Sequence, residues 1–351
     1  MAKHRGPSRL KKILIVFSFL LLAGAAITIY SFYKMVYEPN IFLEKKKEVF
    51  IYIPTGSTFE DVVSILEKEH LLLDRASFYW VAERMNYRQN IHPGKYRILA
   101  KMNNKQLLTL LRSGKQVPVK IVIGILRTKD QLVSKIASQL EADSASLVDA
   151  LGSNTLLKKF GVNRENALAL FIPNTYEFNW NTSAEMFLKR LAAEYARFWT
   201  EERLLKAKKT GLAPSEVITL ASIVEMETSK DSEKSMIAGV YINRLRKNWK
   251  LQADPTLIYA LGDFSVHRVL DVHKEKESPY NTYKYYGLPP GPICNPSLSS
   301  VNAVLDYTRH NYMYFCAKED FSGYHCFSET YGQHMTNARK FQRELNKRNI
   351  H

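Results

Sequence analysis

The segment "LASIVEMETSKDSEK", Leu220 to Lys234, places a glutamate in an otherwise apolar helical run. On a helix, residues three, four and seven apart share a face. Glu225 therefore shares a stripe with Ile218, Ala221, Ser222, Thr228 and Ser229. Most of these side chains are small, so the stripe reads as an open floor, while Val217, Leu220 and Val224 pin the helix to a core. Two readings of Glu225 stand side by side. It pairs with a lysine or arginine, such as Arg244 on the next helix. Alternatively it is a half-buried carboxylic acid with a raised pKa, able to donate a proton. Cleavage of a glycosidic bond needs such a donor, because the leaving oxygen must be protonated. Glu227 is two residues on and points roughly the opposite way, so it is not expected to act with Glu225 on one atom.

Other chemistries find no pattern. The sequence holds no GxSxG elbow, HExxH pair or glycine-rich phosphate loop. His325 and His334 are too widely spaced for a local metal pair, and His325 reads as a packed or hydrogen-bonded histidine. No cofactor or metal is expected. Of the three cysteines, Cys316 and Cys326 flank a hairpin between the strands "MYFCA" and "YHCFS", where a cross-strand disulfide or two buried thiols both fit. With Cys294 the odd one, no disulfide framework holds the fold.

The elements that position these residues begin with a basic tail, residues 1–12, followed by an uncharged apolar run, residues 13–33. About 20 apolar residues cross a bilayer, against about 7–15 in a signal-peptide core. No small-x-small cleavage site follows, so an uncleaved anchor is expected in the cytoplasmic membrane. The basic tail stays in the cytoplasm and the rest of the chain lies outside. Lysine and arginine outnumber aspartate and glutamate by 50 to 34, a net charge of +16 that suits an anionic partner. Outside the cytoplasm acidic lipid or wall polymer fits that charge, which also reads simply as solubility, and nucleic acid is not expected.

Residues 34–46 read as a linker and residues 47–118 as a compact α/β module. "VFIYI" is a strand, and Ser57 or Thr58 caps a helix carrying Phe59, Val62, Val63 and Leu66 at helical spacing. "NNKQLLTLLRSG" is a helix closed by Gly114. Residues 119–210 form an intermediate segment opening with a strand, "VPVKIVIGILRT". Its aromatics Phe171, Tyr176, Phe178 and Trp180 fit either a core corner or a sugar-binding groove. Residues 211–351 hold a helix with Pro214 at its start, a second helix "SEKSMIAGVYINRLRKN", and the loop-rich segments "LQADPTLIYALG" and "SPYNTYKYYGLPPGPICNPS". Ordered loops of that length commonly serve binding or catalysis. The fold class is α+β: one membrane helix, the small module, and a larger α+β domain.

Four stretches, "LASIVEMET", "GVYINRLRKNWKLQADPTLIYALG", "YNTYKYYGLPPGPICNPS" and "HCFSETYGQHMTN", closely resemble the endolytic murein transglycosylase (YceG-like) family. The resemblance extends through "PNTYEFNWNTS" and "HPGKYRI…LLTLLRSG" over nearly the whole chain, and makes the small module LysM-like. It implies a membrane-anchored lyase that cuts nascent peptidoglycan strands internally, close to the membrane. Its expected partners are those strands, membrane lipid and wall-synthesis enzymes. Glu225 matches the family's catalytic acid/base. Ser222, Gln252, Asp254, Asn281, Thr282 and Tyr283 match positions around the sugar cleft, although Asp254 and Asn281 also suit turns. Asn243 and Arg244 match as well and are expected to brace Glu225. One departure is Asn174, where the family commonly has an aspartate, so Asn174 is not a catalytic candidate.

The resemblance also implies a one-glutamate mechanism. Glycosidases that use water need a second carboxylate. In a lytic transglycosylase the muramoyl C6 hydroxyl attacks its own C1, and this intramolecular nucleophile replaces the second group. The product carries a 1,6-anhydromuramoyl end, with Asn281 or Tyr283 stabilising the charge at C1 or orienting the N-acetyl group. Two other classes remain in view: a hydrolytic muramidase, and a non-catalytic glycan-binding scaffold of wall synthesis.

Overall fold

A computed structural model of the chain describes residues 9–44, 46–266 and 268–348. It divides into two units, Met1–Val119 with Asn179–Asn181, and Lys120–Phe178 with Thr182–His351.

The first unit opens with helix α1 (Arg9–Tyr37), whose apolar run is long enough to cross a membrane and is not covered by protein. Strand β1 (Glu48–Ile53), helices α2 (Phe59–Lys68) and α3 (Arg75–Arg84), strand β2 (Gly94–Leu99) and helix α4 (Asn104–Ser113) follow. β1 and β2 pair antiparallel, with Ile51 opposite Tyr96 and Val49 opposite Ile98. Alternation along the strands turns Ile51, Ile53, Tyr96 and Ile98 inward, onto the apolar faces of α2 and α4. The cap of α2 is Thr58, whose hydroxyl accepts from the Asp61 N–H while the Asp61 carboxylate accepts from the Thr58 N–H. Gly114 closes α4 at φ +65°, a left-handed conformation that glycine takes without a Cβ penalty. Residues 34–46 contain more than a linker. Lys34 to Tyr37 are the last turn of α1, and Asn40 and Ile41 are buried, both N–H groups donating to the Met102 carbonyl.

The second unit begins within strand β3 (Val119–Ile123), at Lys120, followed by helices α5 (Lys129–Ala137), α6 (Ser144–Gly152) and α7 (Asn154–Lys158). Strand β4 (Asn174–Phe178) pairs with β3. Then come α8 (Ala184–Phe198), α9 (Glu201–Thr210), α10 (Pro214–Glu227) and α11 (Asp231–Arg246). Helices α12 (Asp254–Leu261), α13 (Asp271–Lys274) and α14 (Leu298–Leu305) lead to strands β5 (Tyr314–Ala317) and β6 (His325–Ser328), and helix α15 (Tyr331–Lys347) ends the unit. Phe171, Tyr176 and Phe178 are buried, with the Phe178 ring 4.8 Å from that of Phe187, so these three are core residues. Trp180 belongs instead to the first unit, where its ring meets that of Tyr52 edge-on. Cys316 lies opposite Cys326 across the antiparallel β5–β6 pair, and all three cysteines are free thiols.

Helix α10 is the spine of this unit. Val217 through Val224 are all buried, because α9, α11, α12 and α14 cover the helix on every side. Its first turn, Pro214 to Glu216, opens to solvent, and its last turn reaches polar side chains. The segment "LQADPTLIYALG" is less loop-like than its composition predicts. Pro255 sits in the first turn of α12, where a missing N–H costs nothing, and Gly262 ends the helix at φ +74°.

The long loop before α14 is pinned by Asn295, which is 1% exposed. Its Oδ1 accepts from the Leu126 N–H at 2.6 Å, and its Nδ2 donates to the carbonyls of Gly124 and Phe171 at 2.7 and 3.1 Å. Asn295→Ala strands all three backbone groups, so urea unfolding should show a loss of about 2–4 kcal/mol.

Candidate active site

The last turn of α10 carries two carboxylates with opposite surroundings. Glu225 turns toward the N-terminus of α14. Its Oε2 accepts from the Ser297 N–H at 3.1 Å, from the Ser300 hydroxyl at 2.6 Å, and from the Ser297 hydroxyl. Lys234 of α11 adds an ion pair at 3.3 Å, with side chains only 4% and 11% exposed for Lys234 and Glu225. Burial alone pushes the Glu225 carboxyl up. The two serine hydroxyls, Lys234 and the backbone N–H outweigh it and hold the pKa below the ordinary carboxylate range. The positive end of α14 acts in the same direction.

This differs from the open floor and raised pKa expected at Glu225. The small residues beneath it make room for Ile293 to Ser300, which roof that face. Ser222, a candidate substrate contact, is fully buried, accepting from the Ile293 N–H at 2.9 Å and donating to the Thr219 carbonyl.

Glu227 points the other way, into a cleft of about 330 Å³. Gln252, Asp254 and Tyr283 line one wall, while Tyr314, Tyr331 and His334 line another. The Tyr241 hydroxyl donates to Glu227 Oε1 at 2.5 Å. Burial pushes the Glu227 carboxyl up to about 7; the Tyr241 bond offsets part of this, and the charge of Asp254 adds to it. This acid therefore holds its proton to a much higher pH than an ordinary glutamate, and it lines the cleft.

Three of the sequence-derived candidates meet in this cleft. Asp254, at the start of α12, accepts from the Tyr283 hydroxyl. Burial and the bond to Asp254 hold the Tyr283 phenol far above its usual range, so it remains a donor. Gln252 is exposed at φ +49°, a left-handed conformation uncommon for glutamine, and its N–H donates to the Thr282 carbonyl. The neighbouring candidates are buried builders. Thr282 Oγ1 accepts from the Ala253 N–H at 3.0 Å and lies 2.8 Å from Thr256 Oγ1. Asn281 donates to the carbonyls of Lys274 and Lys276 and accepts from the Tyr283 N–H. Both hold the loop that presents Gln252, Asp254 and Tyr283.

Asn243 and Arg244, expected to brace Glu225, brace the cleft. Arg244 Nε donates to the Met313 carbonyl at 2.8 Å and Nη1 to that of Leu251 at 2.5 Å, tying both walls to α11. Asn243 donates to the carbonyls of His310 and Tyr312, just before β5. His334 stacks on Tyr314 at 5.2 Å, and burial and the nearby Arg244 lower its pKa, which favours the neutral ring. Asn174 is exposed at the start of β4 and does not line the cleft.

Glu227 is not among the residues that the sequence analysis assigns to the site, yet it lines this cleft. Its signal was available: two residues on a helix separate by roughly 200°, so a structural Glu225 leaves Glu227 on the opposite face. Tyr241, Tyr314, Tyr331 and His334 gave no local sign.

The YceG-like family model matches residues 51–340. A Bacillus subtilis protein named "Endolytic murein transglycosylase" is 30% identical over 340 residues, covering 92% of this chain and 91% of that protein. A Streptococcus pneumoniae protein of the same name is 29% identical over 337 residues, spanning 86% of this chain and 60% of its own length. Among solved structures, a yceG-like protein from Listeria monocytogenes is 29% identical with a TM-score of 0.55, covering 83% of this chain and 99% of that one.

The two carboxylates predict opposite pH effects on stability. Glu225, lowered from 4.5, contributes fully above that value and loses its contribution as pH falls through the folded pKa. Glu225→Gln also leaves buried Lys234 with only the exposed Asp231 as an anion, so thermal unfolding should show a larger Tm loss at pH 7 than at pH 3.5. Glu227, raised from 4.5 to about 7, weakens the fold as pH climbs through that window. Glu227→Gln should therefore raise Tm at pH 8, and by less at pH 5.

Proposed function

The chain belongs to the YceG-like family, and from that premise we propose that it is a membrane-anchored lytic transglycosylase of peptidoglycan, with Glu227 as acid and base. The observation that carries this is the raised carboxyl of Glu227 in a cleft walled by tyrosines. The names of the Bacillus and Streptococcus relatives supply the substrate class. Glu227 takes the role that the sequence resemblance assigned to Glu225, whose hydrogen bonds and ion pair commit it to the fold.

Protonated Glu227 gives its proton to the glycosidic oxygen between muramoyl C1 and the next glucosamine. Tyr241 occupies Oε1, which leaves Oε2 for the substrate. As the C1–O bond breaks, positive charge develops at C1 and the Asp254 carboxylate faces it. Tyr283 holds Asp254 in place, and Gln252 presents its side chain beside them. The muramoyl C6 hydroxyl then attacks C1 and passes its proton to the Glu227 carboxylate. No water is consumed, and the product ends in 1,6-anhydromuramic acid. A pKa near the working pH suits a group that must first give and then take a proton. Tyr314 and Tyr331 offer faces on which sugar rings stack.

The anchor α1 keeps cutting to nascent strands near the cytoplasmic membrane, among the enzymes that build them, and the first unit grips glycan as a LysM-like module. One observation favours a second reading. Asp254 shares the cleft with Glu227, and a second carboxylate is what a hydrolytic muramidase requires.

Incubation of the full chain with uncrosslinked glycan strands, followed by mass spectrometry, tests the proposal. Anhydromuramoyl ends, one water lighter than reducing ends, are expected. Glu227→Gln should lower the rate by about 10²–10⁴-fold, whereas Glu225→Gln, which loosens the turn that aims Glu227 but leaves Glu227 its proton, should lower it by much less. The rate should fall as pH rises past about 7, when Glu227 loses its proton. Reducing ends would establish the hydrolase instead.

A further inference from the structure

The C-terminal end of α1 is built into the first unit. The Phe32 ring stacks on Trp80 of α3, with centroids 5.0 Å apart and planes inclined by 17°. Asn104 Nδ2 donates to the Met35 carbonyl at 2.8 Å and Asn103 Nδ2 to the Tyr37 carbonyl at 3.2 Å. These bonds satisfy carbonyls that a helix end leaves without partners. A helix merely tethered to its domain has no such caps.

Helix register converts these contacts into depth. Counting from Ile13, about 20 residues at 1.5 Å each span the hydrocarbon core of about 30 Å, which puts its outer edge at about Phe32. Trp80 then lies at the boundary between hydrocarbon and headgroups, where tryptophan is enriched. Arg84, one turn further along α3, is exposed and stands 4.2 Å over the Trp80 ring. Lys105 of α4 lies 5.1 Å from the Tyr37 ring. Both cations face aromatic rings rather than carboxylates, which leaves their charge available to a phosphate.

We propose that the first unit sits directly on the membrane surface, with Trp80 seated at the acyl boundary and Arg84 and Lys105 on lipid headgroup phosphates. This rests on reading α1 as a membrane span. It makes α3 a membrane-facing helix and holds the module at a fixed height.

The test uses the full chain labelled with fluorotryptophan and reconstituted into phosphatidylethanolamine and phosphatidylglycerol vesicles. The four tryptophans give four fluorine signals, and Trp80→Phe assigns that of Trp80. A lipid carrying a nitroxide near its carbonyl should broaden the Trp80 signal several-fold more than those of Trp199 and Trp249. Arg84→Glu should cut that broadening at least twofold and Arg84→Lys should restore it. Flotation with vesicles but no selective broadening of Trp80 would overturn the inference and leave the anchor standing. Failure to float would overturn both. An unchanged signal in Arg84→Glu would overturn the headgroup contact.

Discussion

The buried pair of Glu225 and Lys234 is the constraint on which the rest of the site depends. It joins three helices: α10 supplies the carboxylate, α11 the ammonium, and the N-terminus of α14 the hydroxyls and backbone N–H that complete its hydrogen bonds. Taking two charges out of water is costly, and such a pair persists only where its remaining bonds are met. Here Lys234 also reaches Ser299 and Asp231, so neither partner is left short. The result is a last turn of α10 with one rotational setting. Glu227, on the far side of that turn, is aimed by the same lock.

Two carboxylates within one helical turn thus acquire opposite acidities. Donors and a cation keep Glu225 ionised, whereas burial beside Asp254 keeps Glu227 protonated up to about pH 7. Separating the pKa values of neighbouring acids by environment is a recognised route to acid–base chemistry at neutral pH. The cleft carries a stability penalty for it, since ionised Glu227 disfavours the fold. The walls are held independently of that penalty. Arg244 clamps both sides through backbone carbonyls, and Asn281 with Thr282 fixes the loop that carries Tyr283.

Much of the local structure was legible because local rules govern it. Thr58 caps α2, Gly114 closes α4, Pro214 opens α10, and the strands at Tyr314 and His325 flank the turn that joins them as a hairpin. The site was legible only in outline. Small residues beside Glu225 signal a close approach, but their pattern does not say whether a substrate or another helix approaches. Here it is α14. Asn281 and Thr282 are polar residues in a long loop, which suits ligand binding by composition, yet their side chains are consumed by backbone groups of that same loop. Tyr241, Tyr314 and His334 line the cleft of Glu227 from 14, 87 and 107 positions away, and only tertiary packing brings them together.

The central claim is that Glu225 builds and Glu227 acts, and infrared difference spectroscopy of the carboxyl groups tests it most directly. Spectra of the full chain would be recorded across pH 4 to 9 beside Glu225→Gln and Glu227→Gln. The account predicts one protonated-carboxyl band that persists at pH 6, titrates near pH 7 and is missing only from Glu227→Gln. A band that disappears with Glu225→Gln instead, or no protonated carboxyl above pH 5, would contradict it.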